Sequence, residues 1–453
     1  MGTWPALEVL GVMAITGLAL LLRLHGLAQA PVFTDDLDEI QFAWAGLNLI
    51  QHGDAITWSY YPGYPAYHAF TAFGVTVPVV HHWMDHPPLY SLLIGGWVWL
   101  LGARDMTGFN AVEVRLIPVA CSTLTVPLVY LLGRRFIGAG AAMVGALLLA
   151  TAPAAVLFGR VAEPESAQAV LLLVALLLTV RVLDGVAGPV TVTGLLLCAV
   201  AAPLMKVSGI AVAGICAVIL ASSGRWKLTA IVVAAGAAGL VLFVVYGALV
   251  DWGQFVRTWG VQASNRIGVM SAFDFITAAA GMNRRLRDGW WLLGWIGLGL
   301  LAARNLHRRE LFLVWPAAAY AVIMLVLAGE KEVEQYGWYR VIVYPSVYLG
   351  AGWLAWEAVK RRSLPLLTLL LALGGATATN WWLGGSSEGW VPNPLLLCVL
   401  VAAVLLPPVL VLWRPDDART KRIAGWTSAA AVAVIALGGT IESLRLDQIF
   451  YRM

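Results

Sequence analysis

Apolar runs long enough to traverse a bilayer recur from one end of this 453-residue chain to the other, and they leave few folds open. A spanning helix needs about 20 apolar residues, somewhat fewer when it is untilted. On that rule the sequence predicts thirteen spans, at approximately 6–27, 111–133, 139–159, 164–182, 189–205, 208–222, 228–250, 289–303, 311–328, 341–358, 364–383, 395–413 and 424–441. Only 12% of the residues are charged, against about 25% in soluble domains, so the expected fold class is an all-α polytopic membrane protein. The first run is too long for the apolar part of a signal peptide and lacks a convincing cleavage site, which makes it a retained anchor. The four cysteines (Cys121, Cys198, Cys216, Cys398) fall in apolar segments and read as small core residues. A net charge of +4 split between two sides excludes nucleic-acid binding as the expected role.

A further apolar run, Pro87 to Gly102, is short, and charge placement argues that it lies in the interface instead of crossing. With it left out, the loops carrying Arg134/Arg135, Arg181, Arg225/Lys227, Arg304/Arg308/Arg309, Lys360–Arg362 and Arg414–Arg422 share one side, with fifteen Lys/Arg against six Asp/Glu. Basic loops belong in the cytoplasm. The expectation is therefore a multi-pass plasma (inner) membrane protein with a cytoplasmic N-terminus and an external C-terminus. Three longer external segments follow, 28–110, 251–288 and 329–340, and such loops tend to carry function.

Phe33-Thr34-Asp35-Asp36-Leu37-Asp38-Glu39 is the most unusual of these stretches, with four carboxylates in five positions just after the first span. Carboxylates at a membrane surface are costly to desolvate and commonly have a task. The alternative is a plain helix cap, since Asp before an amphipathic run is a common one. Asp38 to Gly53 has apolar residues at Ile40, Phe42, Ala43, Leu47, Leu49 and Ile50, the pattern of an amphipathic helix lying on the membrane. Tyr60, Tyr61, Tyr64 and the Gly/Pro-rich residues up to Phe73 suggest an irregular cavity wall. Elsewhere on that side stand His86 in Asp85-His86-Pro87-Pro88, Arg115 at the start of a span, Glu163 in Arg160-Val161-Ala162-Glu163-Pro164, Lys206 between two apolar runs, Arg266 in the second loop, and Tyr339-Arg340. Each also has a bland reading: Lys206 as a snorkelling side chain, His86 as a cap, Arg115 as an interfacial marker, Glu163 as the partner of Arg160. Taken together, Asp38 and Glu163 can accept a hydroxyl proton or hold a divalent metal, while Lys, Arg and His can hold a phosphate. That pairing fits transfer of a group from a lipid-linked phosphate to a hydroxyl.

In order along the chain, Asp38-Glu39-Ile40-Gln41-Phe42-Ala43 with Gly53-Asp54, His86-Pro87-Pro88-Leu89-Tyr90, Val114-Arg115-Leu116-Ile117-Pro118, Glu163-Pro164, Met205-Lys206-Val207-Ser208-Gly209 and Tyr339 to Pro345 resemble the motifs of GT-C glycosyltransferases. The resemblance is to the family of protein O-mannosyltransferases and the lipid A aminoarabinose transferase, and it covers roughly residues 6–350. It implies a GT-C fold of about thirteen spans with external juxtamembrane helices. Residues 1–350 would form the catalytic module, and 351–453 further spans with no large soluble domain. It also implies an inverting transferase that moves a sugar from a polyprenyl-phosphate donor to a hydroxyl on a lipid, glycan or protein outside the membrane. Asp38 would be the base, with Glu39 and Glu163 completing the acidic part of the site. His86, Lys206, Arg115, Tyr339 and Arg340 would hold the donor phosphate, and Tyr60, Tyr61, Tyr64 and Arg266 would wall the acceptor side. A divalent metal between Asp38 and Glu163 stays an open option, and no other cofactor is implied. The second acid is Glu where the family commonly has Asp, and acceptor identity does not carry over. The rival readings are a transporter or flippase without covalent chemistry and an oligosaccharide-transferring ligase.

Overall fold

The structure is a computed structural model that describes residues 5–33, 37–61, 63–65, 67–72, 74–265, 271–277, 286, 289–304, 311–327, 337–361, 364–383 and 417–446, with isolated positions between 402 and 413. The chain opens with α1 (Ala6–Leu24) and α2 (Leu37–His52), then a small sheet of β1 (Thr57–Trp58), β2 (His68–Ala72) and β3 (Val75–Val80), then α3 (Pro88–Leu100). The bundle continues through α4 (Ala111–Ile137), α5 (Ala139–Thr151), α6 (Pro153–Phe158), α7 (Glu165–Leu183), α8 (Pro189–Met205), α9 (Ile210–Ser222) and α10 (Trp226–Asn265). It ends with α11 (Ser271–Thr277), α12 (Gly289–Arg304), α13 (Leu311–Leu327), α14 (Tyr344–Arg361), α15 (Leu364–Leu383) and α16 (Ala418–Leu444).

Helices stand over twelve of the thirteen expected spans; 395–413 lies almost wholly outside the described residues. Among the described residues four are long and apolar enough to cross a membrane: Ala6–Leu24, Ala111–Ile137, Glu165–Leu183 and Trp226–Ala263. Local chemistry sets the boundaries. Asn110 and Glu113 form a capping box at the start of α4, which satisfies two otherwise orphaned backbone donors. Gly138, at φ 83°, turns the chain between α4 and α5. The expected span 139–159 is in fact two helices, because Pro153 cannot continue the first and instead opens the second. The last turn of α8 stops at Lys206, whose backbone is extended.

Three expectations change. The stretch read as an irregular wall up to Phe73 holds β2, an edge strand of a three-stranded antiparallel sheet in the order β1-β3-β2, with Ala72 paired to Val75 across the Gly74 turn at φ 78°. The all-α reading therefore holds for the bundle but not for this cap. Aromatic and proline content hid the hairpin, although Val75, Val77, Val79 and Val80 are the β-branched residues a strand favours. Helix α2 is buried from Glu39 to Leu47 rather than lying one-sided on a surface. The second long loop is helical up to Asn265, as a continuation of α10 beyond a break at Asp251, where φ is −158° and ψ 99°.

Two cores result. The larger belongs to the bundle and runs through α4, α5, α7, α9, α12 and α14. The smaller joins α2, the sheet, α3 and the first turn of α4, with Phe42, Trp83, Tyr90 and Ile94 at its centre. Within it α2 and α3 cross in backbone contact. A Cβ on Gly46 would stand 1.7 Å from the Ser91 carbonyl oxygen, and one on Gly95 2.3 Å from the Gly46 carbonyl carbon. At 13 residues, α3 rises about 20 Å, less than the hydrocarbon thickness of about 30 Å.

Candidate active site

Where the cap meets the bundle there is a cavity of about 340 Å3, and Asp38, Asp85, His86 and Lys206 all line it. Gln41, Trp58, Ser59, Tyr60, Tyr61, Trp338 and Tyr339 complete its wall.

Asp38 reaches it from the first turn of α2. Successive helix residues are turned by about 100°, so Gln41, one turn on, shares that side, while Glu39 faces α4. The Gln41 amide donates to the Trp58 carbonyl (2.6 Å), and Thr57 Oγ1 donates to the Gln41 carbonyl (3.2 Å), lacing β1 to α2. Asp85 is buried under three donors: Ser59 Oγ at 2.9 Å, Tyr64 OH at 2.8 Å and Trp83 Nε1 at 2.8 Å. Burial pushes its carboxyl up to about 6, against the pull of those hydrogen bonds and with the help of the Asp38 charge. His86 sits against the rings of Phe42 (5.2 Å between centroids) and Trp83 (5.8 Å) before Pro87 and Pro88 open α3.

Lys206 arrives from the end of α8. Its Nζ lies 2.6 Å from Glu165 Oε1 and 3.3 Å from Glu163 Oε2, and 4.9 Å from the centre of the Tyr339 ring. The Gln168 amide donates to the carbonyls of Ala202 (3.1 Å) and Lys206 (3.0 Å), which fixes the backbone where the helix stops.

The loop bearing Asp85 is gripped from the other side by the second half of α10. Gln254 Nε2 donates to the carbonyls of His81 (2.9 Å) and His82 (3.0 Å), Trp259 Nε1 to that of Met84 (3.0 Å), and Gln262 Nε2 to that of Asp85 (3.1 Å). At the loop's start the Asp54 carboxylate meets Nδ1 of both His81 (3.0 Å) and His82 (2.8 Å).

This arrangement of bundle and cap superposes on solved structures of known transferases. ArnT from Cupriavidus metallidurans, bound to undecaprenyl phosphate, matches with a TM-score of 0.58 at 17% identity, covering 96% of this chain and 77% of that one. The arabinosyltransferase EmbB from Mycobacterium smegmatis matches with a TM-score of 0.55 at 16% identity, covering 98% of this chain and 42% of that one. The fold is the GT-C fold. The archaeal oligosaccharyltransferase AglB from Archaeoglobus fulgidus, in complex with an inhibitory peptide and a dolichol-phosphate, aligns at 0.50 and 13% identity over 94% of this chain and 56% of that one. In sequence, the profile of the dolichyl-phosphate-mannose-protein mannosyltransferase family matches residues 85–248, just over a third of the chain, and this stretch holds Asp85, His86, Glu163 and Lys206 but not Asp38. No curated protein sequence matches the chain.

Within the GT-C frame the expected site residues separate into two groups. Asp38, His86, Lys206, Tyr60, Tyr61 and Tyr339 line the cavity, and Glu163 touches it through Lys206. Glu39 and Arg115 do not line it. Both are fully buried, and Arg115 Nε donates to both Glu39 oxygens (2.9 and 3.1 Å) while Nη2 meets Oε2. Arg115 Nη1 also donates to the Leu27 carbonyl (2.8 Å), and the Ala162 N–H donates to Glu39 Oε1 (2.8 Å). The pair is a latch between α1, α2, α4 and the turn before α7, so neither partner is placed to touch a substrate. Arg340 is likewise turned away, toward the Asp274 carbonyl (3.2 Å) and the Trp291 ring (5.3 Å). Tyr64 stands behind Asp85 as its support, and Arg266 lies outside the described residues. Reading the sequence also missed two carboxylates. Asp85 immediately precedes His86, and Glu165 is two positions after Glu163, so adjacency was the only signal for either.

For a metal, the donor set gives no support. Glu163 is turned to Lys206, and among the described residues no three His, Cys, Asp or Glu side chains converge as ligands would.

Proposed function

We propose that this protein is an inverting glycosyltransferase that moves a sugar from a polyprenyl-phosphate donor to a hydroxyl acceptor. The observation that carries this reading is the meeting of Asp38 and Lys206 in one cavity of a GT-C fold. The ArnT structure of the same fold is bound to undecaprenyl phosphate and the AglB structure is in complex with a dolichol-phosphate, which supports a lipid-phosphate donor here.

In this mechanism the donor enters from the bilayer with its phosphate toward His86 and Lys206. The acceptor comes from the aqueous side past Tyr60 and Tyr61. Asp38 takes the hydroxyl proton as the oxygen attacks the anomeric carbon, the bond from that carbon to the phosphate oxygen breaks, and the polyprenyl phosphate leaves from the opposite face. Cationic groups at the leaving oxygen stabilise the charge that develops there, each by a few kcal/mol of barrier. Glu163 holds Lys206 in place. Glu39, Arg115, Arg340 and Tyr64 take scaffold roles. The chemistry belongs to residues 1–350, and 351–453 adds spans. The thirteen-span topology, with a cytoplasmic N-terminus and the cavity on the external side of the plasma membrane, follows from the charge asymmetry of the loops.

The test is Asp38→Asn in the purified chain with a polyprenyl-phosphate sugar. Turnover falls at least a thousandfold while donor binding persists. Unchanged turnover would exclude Asp38 as the base, and donor translocation without sugar transfer would favour the flippase reading.

A further inference from the structure

The cluster around Lys206 has one feature that donor binding alone does not account for. Two carboxylates, Glu163 and Glu165, share a single ammonium, and their side chains are 2% and 0% exposed. Glu165 is the nearer of the two, at 2.6 Å against 3.3 Å. It is also the first residue of α7, where the helix dipole favours an ionised carboxylate. Its second oxygen, Oε2, is buried with no hydrogen-bond partner. Buried polar atoms are nearly always paired, and an exception calls for an explanation.

The contrast with Glu39 is informative. That carboxylate, equally buried, has both oxygens satisfied by Arg115 and one also by the Ala162 N–H, as a group with a purely structural task should. Glu165 instead holds one oxygen on the cation that lines the cavity and leaves the other unmatched. With both acids ionised the cluster carries two negative charges and one positive. Among the described residues, the phenols of Tyr90, Tyr320 and Tyr339 also stand near it. On the cavity side stand Asp38, Asp85 and His86.

We propose that Glu165 is a positioning residue that competes with the donor phosphate for Lys206 Nζ, holding the ammonium back when the cavity lacks a phosphate and drawing it away again so that the lipid phosphate can leave. The inference rests on Lys206 being a phosphate-binding group. Two anions that want the same ammonium weaken each other's hold on it, so the Glu165 charge sets the donor affinity from behind. A residue that merely supported the fold would have the opposite signature, since losing it would loosen the site.

The experiment measures binding of undecaprenyl phosphate to the full chain in mixed micelles, alongside the steady-state parameters. Glu165→Gln is expected to tighten binding about tenfold, a change of about 1.4 kcal/mol, and to lower kcat as release of the lipid phosphate slows. Lys206→Ala weakens binding at least tenfold, and adding Glu165→Gln to it restores nothing, because the cation being competed for is gone. Should the glutamine variant fail to fold, Glu165→Asp withdraws the carboxylate by one methylene and tightens binding by a smaller factor. If Lys206→Ala weakens binding while both Glu165 variants leave it unchanged or weaker, Glu165 is structural and the competition is refuted. If Lys206→Ala leaves binding unchanged, the donor-phosphate reading of Lys206 falls first and the competition falls with it.

Discussion

Arg115→Met breaks the latch behind the cavity, and its cost can be worked from the contacts. The change removes all three guanidinium bonds to Glu39 and the one to the Leu27 carbonyl, leaving a carboxylate of zero exposure with the Ala162 N–H as its donor. Removing one partner of a buried ion pair costs about 3–5 kcal/mol, because the other charge stays buried and unmatched. The double variant Glu39→Met/Arg115→Met removes that charge as well. Its expected cost is about 1–3 kcal/mol for the Ala162 N–H left without an acceptor, on top of the lost bond to the Leu27 carbonyl that both variants share. So the double variant should be more stable than the single. The assay is amide hydrogen exchange over α2 in detergent, read with thermal unfolding. At about 1.4 kcal/mol per tenfold, the single change raises local opening of α2 by roughly two to three and a half orders of magnitude. Turnover falls with it, since Asp38 is the adjacent residue and a 1 Å misplacement can cost a hundredfold or so. A double variant as damaged as the single one, or a single variant with native protection, would refute the latch.

Three further outcomes follow from the geometry. Gly46→Val should abolish activity and lower the melting temperature sharply, since its Cβ would enter the Ser91 carbonyl; a folded, active valine variant would show that α2 and α3 do not touch as described. Asp85 has its carboxyl raised by burial, so its contribution to stability is full below the ordinary value of 3.8 and is lost as pH rises through about 6. Asp85→Asn should therefore flatten the melting temperature between those limits, and an unchanged pH profile would count against the raised carboxyl. Gln254→Ala with Gln262→Ala removes the side chains that hold the carbonyls of His81, His82 and Asp85; it should raise the acceptor KM more than it lowers kcat, which steady-state kinetics will decide.

Much of the bundle was legible because apolar length is a strong signal in a membrane chain: helices stand over every expected span that the described residues reach. The cap was harder. A hairpin that follows a stretch rich in Tyr, Gly and Pro looks irregular until its valines find partners across the sheet. In the site, Asp38, His86 and Lys206 stood out because charge is rare in this sequence and theirs reaches the cavity. Glu39 and Arg115 stood out for the same reason, yet they satisfy each other. Composition cannot separate a charge that meets a substrate from one that meets a neighbour, because which it does depends on a rotation of about 100° between adjacent helix positions. Gln254, Trp259 and Gln262 gave no warning, since their partners are backbone carbonyls 172 to 177 positions away.

The break of α10 at Asp251 divides it into two working parts. The same helix that is long and apolar enough to cross the membrane at one end carries at its other end the side chains fastened to the Asp85 loop. The Asp85 loop is therefore tied to the segment beyond the break at Asp251 and only through it to the span. The chain past the break is thus fastened to the cavity-lining loop, and the apolar chain before it supplies the anchor.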